Sequence, residues 1–311
     1  MTSTISRGYD SPAVNVLARE CRIGKAYTVR RSNSVIPSWV SREATNDDGT
    51  EIATRLGIPV HAFDKPTEDV GPDEVFFLAS TTAEPELAFY ELMKDADRSE
   101  DVTLLLTAYN GGPTWYKKPK AHLIGDQLRR GDTSGLNLAE IRLRSGVINA
   151  AVPFIYGRSN SDLHRIANSE AFGEWSVGGE YDKPIARRIV EEAGIPRSWF
   201  GTRKRAVVQE YALPHHSDLR VDFFRFLRER CSLSQTGVFW RRILDRVVFL
   251  SHRTLERLLA LIGIKIKAPP ARPLLRGKYD LSYFLHIWAV ERLTKRYANI
   301  ISAAQEPGKN P

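Results

Sequence analysis

The sequence predicts an α/β protein in which a parallel sheet with helices on both faces is followed by a mainly helical C-terminal region. Two observations support this fold class. In the first 110 residues, short apolar runs alternate with helix-like segments, and strands that alternate with helices at this spacing build parallel sheets. From Leu219 to Ala298 the pattern is almost wholly helical, and it is interrupted by Pro269, Pro270 and Pro273.

The predicted strands of the first region are short, and each is followed by a helical pattern. They are Thr2–Ser6, Ala26–Val29, Ile58–Phe63 and Val102–Thr107. After the first strand we expect Ser11 to cap a helix and Pro12 to occupy its first position. Further helices are predicted over residues 49–56, ended by Gly57, and over residues 86–97.

Beyond residue 120 the predicted elements are helices, over residues 138–148, 162–172 and 184–193. Proline suits the start of a helix and glycine suits its end, so Pro184 and Gly194 bound the last of these. The chain is accordingly divided into an α/β core, a helical part that returns to it, and a helical C-terminal region with a polar tail. The predicted ranges are 1–120, 121–215 and 216–311.

Composition bounds the possible functions without choosing among them. The net charge is +8 and 42% of the residues are apolar, so a globular protein that binds an anion, a nucleic acid or an anionic membrane surface fits equally. Two distant cysteines provide neither a disulfide framework nor a zinc site. No secretory signal is evident at the N-terminus, which predicts a cytoplasmic location.

Residues 243–266 are the most apolar part of the chain, but six charged residues interrupt them, which argues against a membrane-spanning helix. Residues 241–267 could instead form an amphipathic helix that contacts a membrane surface through its arginines. We prefer a helix pair that packs on the core and keeps its arginines in water.

The first candidate site is the turn between the first strand and the first helix. Backbone N–H groups and the positive end of the helix dipole make such a turn a phosphate-binding position. Ser6 and Ser11 can add hydroxyl donors, and Gly8 lets the backbone approach an anion closely. Arg187 and Arg188 lie near the start of the helix over 184–193, where a cation is mildly unfavourable, and this position suggests a bound anion.

The hexapeptide Ser6-Arg7-Gly8-Tyr9-Asp10-Ser11 resembles the S-G-G-x-D-S loop of the PP-loop ATP pyrophosphatases, which include asparagine synthase. Three later segments resemble the asparagine synthase-like domain in the same order. They are residues 137–144 with Pro153-Phe154 (compare E-x-R-x-P-F), residues 181–206 with a lysine-bearing loop, and the helix around residues 288–292. The resemblance covers about residues 1–215 and, more weakly, 275–298.

This resemblance implies an ATP-dependent ligase with a PP-loop type of Rossmann-like core. In that family a carboxylate attacks the α-phosphorus of ATP and forms an acyl-adenylate and pyrophosphate, and an amine or ammonia then displaces AMP. The implied cofactors are ATP and Mg²⁺, with Asp10 as metal ligand and Lys204 as the cation on the β- and γ-phosphates. Glu140 would be an acid/base or a structural partner of Arg142 or Arg144. The residues implied to contact the nucleotide are Ser6, Arg7, Gly8, Asp10, Ser11, Gly111, Gly112 and Arg188.

The chain departs from the family pattern in three places. Arg7 replaces a glycine; it would cost about 1–2 kcal/mol if the loop needs positive φ, and its side chain could fill the cavity or bind phosphate. The stretch 107–115 lacks the family's carboxylate, for which Asp126 or Asp132 could substitute. Too few residues precede Ser6 in this sequence for a glutaminase domain, so we expect a free amine, ammonia from a separate glutaminase subunit, or a start of the protein further upstream.

Three functions therefore remain open. The leading hypothesis is an asparagine synthase-like domain that activates a small-molecule carboxylate for amide formation. The second is a degenerate relative that binds a nucleotide or a partner protein without chemistry. The third is an RNA-modifying PP-loop enzyme, suggested by the positive charge alone. No DNA binding is expected, and His215-His216 is interpreted as surface loop because adjacent side chains diverge and no third metal ligand is evident.

Overall fold

The computed structural model describes the greater part of the chain. The described residues are 1–31, 46–64, 70–79, 90–97, 101–118, 126, 144–179, 181–201, 213–240, 243–244, 247, 251, 255 and 281–305. The chain divides into two units, one of Met1–Thr67 with Ser80–Glu210 and one of Glu68–Ala79 with Tyr211–Pro311. The predicted part 121–215 thus belongs almost entirely to the same unit as the α/β core.

A five-stranded sheet forms the centre of the first unit, and all its strand pairs are parallel. Its strand order is β3-β2-β1-β4-β5. The strands are β1 (Thr2–Thr4), β2 (Lys25–Val29), β3 (Val60–Phe63), β4 (Thr103–Thr107) and β5 (Val147–Ala151). The α/β class with a parallel sheet is therefore confirmed, and all four predicted strands are present with ends that differ by at most two residues.

The fifth strand corrects the sequence analysis, which predicted a helix over residues 138–148. Residues 147 and 148 belong to β5, where Val147 pairs with Thr103 and Ile148 with Leu104. Gly146 adopts a positive φ of 66°, which ends the preceding helical turn, and two β-branched residues follow it and favour a strand. Most of the remaining predicted helix lies outside the described residues.

Ten α-helices have described bounds, and most of the predicted helices are among them. They are α1 (Asp10–Leu17), α2 (Thr50–Arg55), α3 (Glu74–Leu78), α4 (Tyr90–Ala96), α5 (Gly111–Trp115), α6 (Val152–Ile155), α7 (Asn160–Ala167), α8 (Pro184–Glu192), α9 (Ser217–Cys231) and α10 (Leu281–Gln305). Short 3₁₀ turns cover Arg19–Cys21, Tyr156–Ser159, Glu170–Trp175 and Arg197–Trp199. Gly57 and Gly194 follow α2 and α8 with φ of 70° and 80°, which confirms both as helix stops.

The capping role predicted for Ser11 is wrong. Helix α1 begins at Asp10, one residue earlier, and its N-cap Tyr9 makes no capping hydrogen bond through its side chain. Ser11 lies inside the first turn and is buried. Its hydroxyl oxygen lies 3.1 Å from that of Ser6 in the preceding loop, and this position matters for the site described below.

Helices pack on both faces of the sheet, as two neighbouring residues of β2 show. Ala26 is fully buried in an apolar cluster that includes residues of α1, α2 and α8. Tyr27 donates its hydroxyl hydrogen to Asp95 of α4 at 2.9 Å. Because successive residues of a strand point to opposite faces of the sheet, α1 and α4 lie on opposite sides.

The second unit contains α3, α9 and α10. Glu74 of α3 is 0% exposed and accepts hydrogen bonds from the backbone N–H groups of His215 and His216 at 2.8–2.9 Å. Trp288 of α10 packs on Phe223 of α9, with ring centroids 5.4 Å apart, so the predicted helix around residues 288–292 is confirmed. No helix among the described residues is long and apolar enough to cross a bilayer, and most of 241–267 lies outside the described residues.

Candidate functional site

The turn from β1 into α1 is fixed by a buried amide. Asn15 of α1 is 0% exposed and donates to the carbonyl oxygens of Thr4 and Ser11 at 2.9 and 2.8 Å. Its Oδ1 accepts the hydroxyl hydrogen of Ser3 at 2.6 Å. One side chain thus joins the end of the strand to the first turn of the helix, and the residues between them are held in one geometry.

A polar cavity of about 170 Å³ opens at this turn. It lies at the ends of the neighbouring strands β1 and β4. From β1 the chain adds β2 and β3 on one side of the sheet, and β4 and β5 are then added on the other side. Ligands of open parallel sheets bind at such a switch in strand order. The lining residues are Ser6, Arg7, Gly8, Asp10, Ser11, Asp47, Ala108, Tyr181 and Gly201. Five residues predicted from the sequence, Ser6, Arg7, Gly8, Asp10 and Ser11, are therefore brought together.

The two serine hydroxyls meet in the floor of the cavity. Ser6 Oγ lies 3.1 Å from Ser11 Oγ and accepts the N–H of Gly8 at 3.2 Å. A Cβ atom on Gly8 would lie 3.1 Å from the hydroxyl oxygen of Tyr181 and 3.4 Å from Ser6 Oγ. A side chain at this position would therefore be tight against the Tyr181 hydroxyl group and in ordinary contact with that of Ser6.

Arg7 carries no left-handed backbone strain. The described non-glycine residues with positive φ are Arg22, Asn110 and Ser232, so the cost that a positive φ at Arg7 would impose does not arise. Its N–H donates to the backbone oxygen of Asp47 at 3.3 Å and to Asp47 Oδ1 at 3.2 Å. Its Nε donates to the carbonyl oxygen of Trp199 at 2.9 Å, which holds the guanidinium group at the cavity wall.

Asp10 forms an ion pair that the sequence analysis did not identify. Its Oδ2 accepts a hydrogen bond from Lys183 Nζ, and the Lys183 side chain is 3% exposed whereas that of Asp10 is 22% exposed. The ammonium nitrogen lies 4.6 Å from the ring centroid of Tyr116 and 4.7 Å from that of Tyr181. Aromatic faces attract a cation, so two rings and one carboxylate stabilise this buried charge.

The other carboxylate oxygen of Asp10 is buried and makes no hydrogen bond with any part of the chain that the structure describes. A buried acceptor without a donor costs about 1–3 kcal/mol, and a cation would remove that cost. Asp47 supplies a second carboxylate at the same cavity. Magnesium is usually held by one or two carboxylates together with substrate phosphates, so this donor set fits Mg²⁺ that arrives with a polyphosphate.

The described residues contain no group of three or more histidine, cysteine or acidic side chains that could hold a metal by themselves. The acidic residues that line the cavity are Asp10 and Asp47.

Gly111 and Gly112, both predicted to contact the nucleotide, lie beside the site rather than in its wall. A Cβ atom on Gly111 would lie 2.6 Å from Asp10 Cγ and 2.8 Å from Asp10 Cβ. Gly112 faces the edge of the Tyr116 ring, which would lie 3.2 Å from an added Cβ. Gly111 is therefore a packing residue that lets α5 approach Asp10 closely.

Asp182, which directly precedes Lys183, lies at the centre of a buried hydrogen-bond network. Burial would raise the pKa of Asp182, but hydrogen bonds from Ser176 Oγ, the N–H of Val177, Arg187 and the N–H of Gly178 lower it below the ordinary value. Arg187 is 1% exposed, lies 3.2 Å from Asp182 Oδ1 and stacks on the ring of Tyr9 with its Cζ 4.7 Å from the centroid. Arg187 thereby joins α8 to Tyr9, the residue that precedes α1.

Burial raises the pKa of both tyrosines that flank Lys183. For Tyr116 the charge on Asp10 adds to desolvation. For Tyr181 desolvation dominates, followed by Asp10, Tyr116 and Asp47. Both phenols are therefore neutral at physiological pH, and the Tyr181 hydroxyl at the cavity can donate a hydrogen bond.

Arg188, predicted to bind the cofactor, is directed elsewhere. Its Nε donates to Glu192 Oε1 at 2.7 Å and its guanidinium carbon lies 4.8 Å from the ring centroid of Trp175. The buried Arg187 is the one that supports the site. Their positions near a helix start could not show which of the two arginines is buried at the site. That depends on which face of α8 packs against the rest of the unit.

Two predicted catalytic residues, Lys204 and Glu140, lie outside the described residues, as does Asp132. Gly201, three positions before Lys204 in the sequence, lines the cavity, and its N–H donates to the carbonyl oxygen of Arg7 at 2.9 Å. Asp126 accepts the N–H of Ser161 at 2.9 Å and is not among the residues that line the cavity.

Comparisons with models of protein families, with curated proteins and with solved structures give no match to the chain.

Proposed function

We propose that the first unit binds ATP with Mg²⁺ and acts as an asparagine synthase-like adenylating domain that activates a carboxylate. The observation that carries this proposal is the position of the cavity: the S-R-G-Y-D-S turn lines it at the switch in the order of a five-stranded parallel sheet. At about 170 Å³ the cavity is smaller than the roughly 300–1,000 Å³ of pockets that enclose a whole small molecule. It therefore suits the phosphate end of a nucleotide.

The charges around the cavity explain why a phosphate would bind together with a metal. Two carboxylates, Asp10 and Asp47, are balanced by two cations, Arg7 and Lys183. A bare polyphosphate gains no net attraction from this arrangement and meets two like charges. Magnesium bound at Asp10 and Asp47 would supply the missing positive charge and neutralise the leaving pyrophosphate.

The chain's own residues would bind and orient. The hydroxyls of Ser6 and Ser11 and the N–H groups at the start of α1 donate to phosphate oxygens, and the dipole of α1 favours the negative charge. Arg7 lies at the cavity wall with its guanidinium group held by Trp199. Fixed donors of this kind lower the barrier of phosphoryl transfer chiefly through positioning and electrostatics.

Calorimetric titration with ATP and with pyrophosphate, each with and without Mg²⁺, tests the binding step. We expect binding that requires Mg²⁺ and that Asp10→Asn weakens by about tenfold or more. Asp95→Asn is the matched control, because Asp95 also pairs with a lysine and is 23% exposed, but it lies on the face of the sheet that α4 covers. Equal affinities of the two variants would refute the assignment of the site.

Chemistry is tested separately by exchange of labelled pyrophosphate into ATP in the presence of candidate carboxylates. A second candidate function, a nucleotide-binding relative without activity, is favoured by the stretch after β4. There the cavity is lined by Ala108 and receives no carboxylate from residues 107–115. Mg²⁺-dependent ATP binding with no exchange for any carboxylate tested would favour this second function.

A further inference from the structure

We propose that Lys183 is a phosphate-binding residue that occupies the cation position on Asp10 until Mg²⁺ arrives with the ligand, and then donates to the phosphate instead. The inference rests on the proposed function, because it assigns a new residue to the same site. Lys204 was the cation expected there from the sequence, whereas Lys183 is the lysine that the structure places in contact with Asp10.

The first step of the argument is the burial of Lys183. Its side chain is 3% exposed, and a buried ammonium group is costly unless it is paired. Asp10 provides the pairing charge through Oδ2. A lysine with a merely structural role is more often found at the surface, with its stem buried and its charge in water. Lys183 instead ends at the residue that lines the cavity.

The second step concerns what surrounds the ammonium group. The ring faces of Tyr116 and Tyr181 lie 4.6 and 4.7 Å from Nζ, and Tyr181 itself lines the cavity. Attraction to a ring face does not depend on one acceptor direction. The rings can therefore stabilise the charge while its hydrogen-bond partner changes from a carboxylate to a phosphate.

The third step is the competition for Asp10. One of its oxygens accepts from Lys183, and the other is buried without a hydrogen-bond partner among the described residues. An ammonium group one hydrogen bond away repels a second cation at the same carboxylate. Lys183 should thus weaken the binding of a metal alone and strengthen the binding of a metal with a polyphosphate, because the phosphate gives the ammonium group a new partner.

The proposal predicts that replacing Lys183 has opposite effects on the affinity for a metal alone and on the affinity for a metal with pyrophosphate. The full chain is titrated with Mn²⁺ alone and with Mg²⁺-pyrophosphate, as wild type and as Lys183→Met. We expect Lys183→Met to bind Mn²⁺ alone about tenfold or more tightly than wild type and to bind Mg²⁺-pyrophosphate more weakly. Lys25→Met is the matched control, because Lys25 pairs with Asp95 at 2.9 Å away from the cavity, and it should change neither affinity.

Two further variants keep the test decisive. Lys183→Gln retains a hydrogen-bond donor toward Asp10 without the charge, and it replaces Lys183→Met if that variant does not fold. Adding Asp10→Asn to either variant should abolish the gain in Mn²⁺ affinity. Unchanged or weaker Mn²⁺ binding in both Lys183 variants overturns the proposal. If no form of the protein binds pyrophosphate or ATP, the proposed function fails, whereas the Mn²⁺ titration still decides whether Lys183 competes with a metal for Asp10.

Discussion

Gly111 lies against the side chain of Asp10, and its replacement by alanine measures how tightly α5 fixes that carboxylate. The new Cβ atom would lie 2.6 Å from Asp10 Cγ and 2.8 Å from Asp10 Cβ, where ordinary contacts are 3.4–4 Å. Rotating the Asp10 side chain relieves the first contact but not the second, because Cβ is fixed by the backbone. Either α1 or α5 must move.

The expected cost follows from these contacts. Overpacking of a well-packed site costs about 1–3 kcal/mol, and the loss of a buried ion pair through one partner costs about 3–5 kcal/mol. Asp10 is 22% exposed, so solvent offsets part of the second cost. We expect Gly111→Ala to lower the opening free energy of α1 and α5 by about 2–4 kcal/mol.

Hydrogen exchange of the backbone amides in α1 and α5 is the suitable assay, because it reports local opening in a chain with two units. Gly112→Ala is the control: its Cβ would meet the edge of the Tyr116 ring at 3.2 Å, and a ring edge can yield. Alanine in a helix is favoured over glycine by up to about 1 kcal/mol, so the control should be close to neutral. If the two variants differ by less than about 0.5 kcal/mol, the inferred fixation of Asp10 by α5 is wrong.

Three further substitutions test other parts of the structure. Glu74→Ala should destabilise the second unit by at least about 2 kcal/mol, since the N–H groups of His215 and His216 lose a buried acceptor; an unchanged denaturant midpoint would contradict this. Tyr116→Phe should leave the tyrosinate absorbance of the folded protein at about pH 11 unchanged, because burial keeps that phenol neutral above its usual pKa of 10.0. Because the folded state holds this phenol neutral, its contribution to stability is full below the ordinary pKa of 10.0 and is lost as pH rises from there through the raised folded pKa. Gly57→Ala should cost about 1–2 kcal/mol in thermal or chemical unfolding from its φ of 70° alone, as no atom lies within 4 Å of the added Cβ; a neutral result would show that the turn adapts.

The parts of the fold that the sequence predicted correctly are those coded by local pattern. Gly57 and Gly194 end helices because only glycine adopts positive φ without strain, and both stops are where the sequence placed them. Pro184 begins α8 for an equally local reason. The strand–turn–helix connection from β1 to α1 was also recognisable, because a β-like run followed by a glycine-containing turn and a helix start is a contiguous signal.

The residues that were missed depend on contacts between distant segments. Lys183 reaches Asp10 across 173 positions of sequence, and Asp47 reaches Arg7 across 40. The segment Tyr181-Asp182-Lys183-Pro184 carried one usable signal: a lysine directly before the first residue of a helix, flanked by an aromatic residue and by a carboxylate that has its own arginine. Nothing in that pattern names the partner, which only the packing of α8 on α1 provides.

Strand β5 was missed for a different reason. Its sequence, Val-Ile-Asn-Ala-Ala, contains two alanines that favour a helix and two β-branched residues that favour a strand, so local preference is evenly divided. Pairing with β4 decides the outcome, and the register places Asn149 where its side chain accepts the hydroxyl hydrogen of Thr107 at 2.8 Å. Tertiary pairing therefore overrides propensity here.

The same dependence on distant segments changes how the departures from the resembled loops should be weighed. Taken position by position, Arg7 and the carboxylate-free stretch 107–115 both argue against catalysis, because each differs from the corresponding position of the loops that these segments resemble. In the folded chain Arg7 has no left-handed strain, and its N–H binds Asp47, which brings a carboxylate to the cavity from the segment between β2 and α2. A charge lost from one strand end of a parallel sheet can be replaced from a neighbouring strand end, since all these ends meet at one edge. Asp47→Asn is therefore the substitution that separates the two hypotheses: it should weaken Mg²⁺-dependent binding of pyrophosphate if Asp47 replaces the missing acid, and leave it unchanged if Asp47 only anchors the turn through its backbone oxygen.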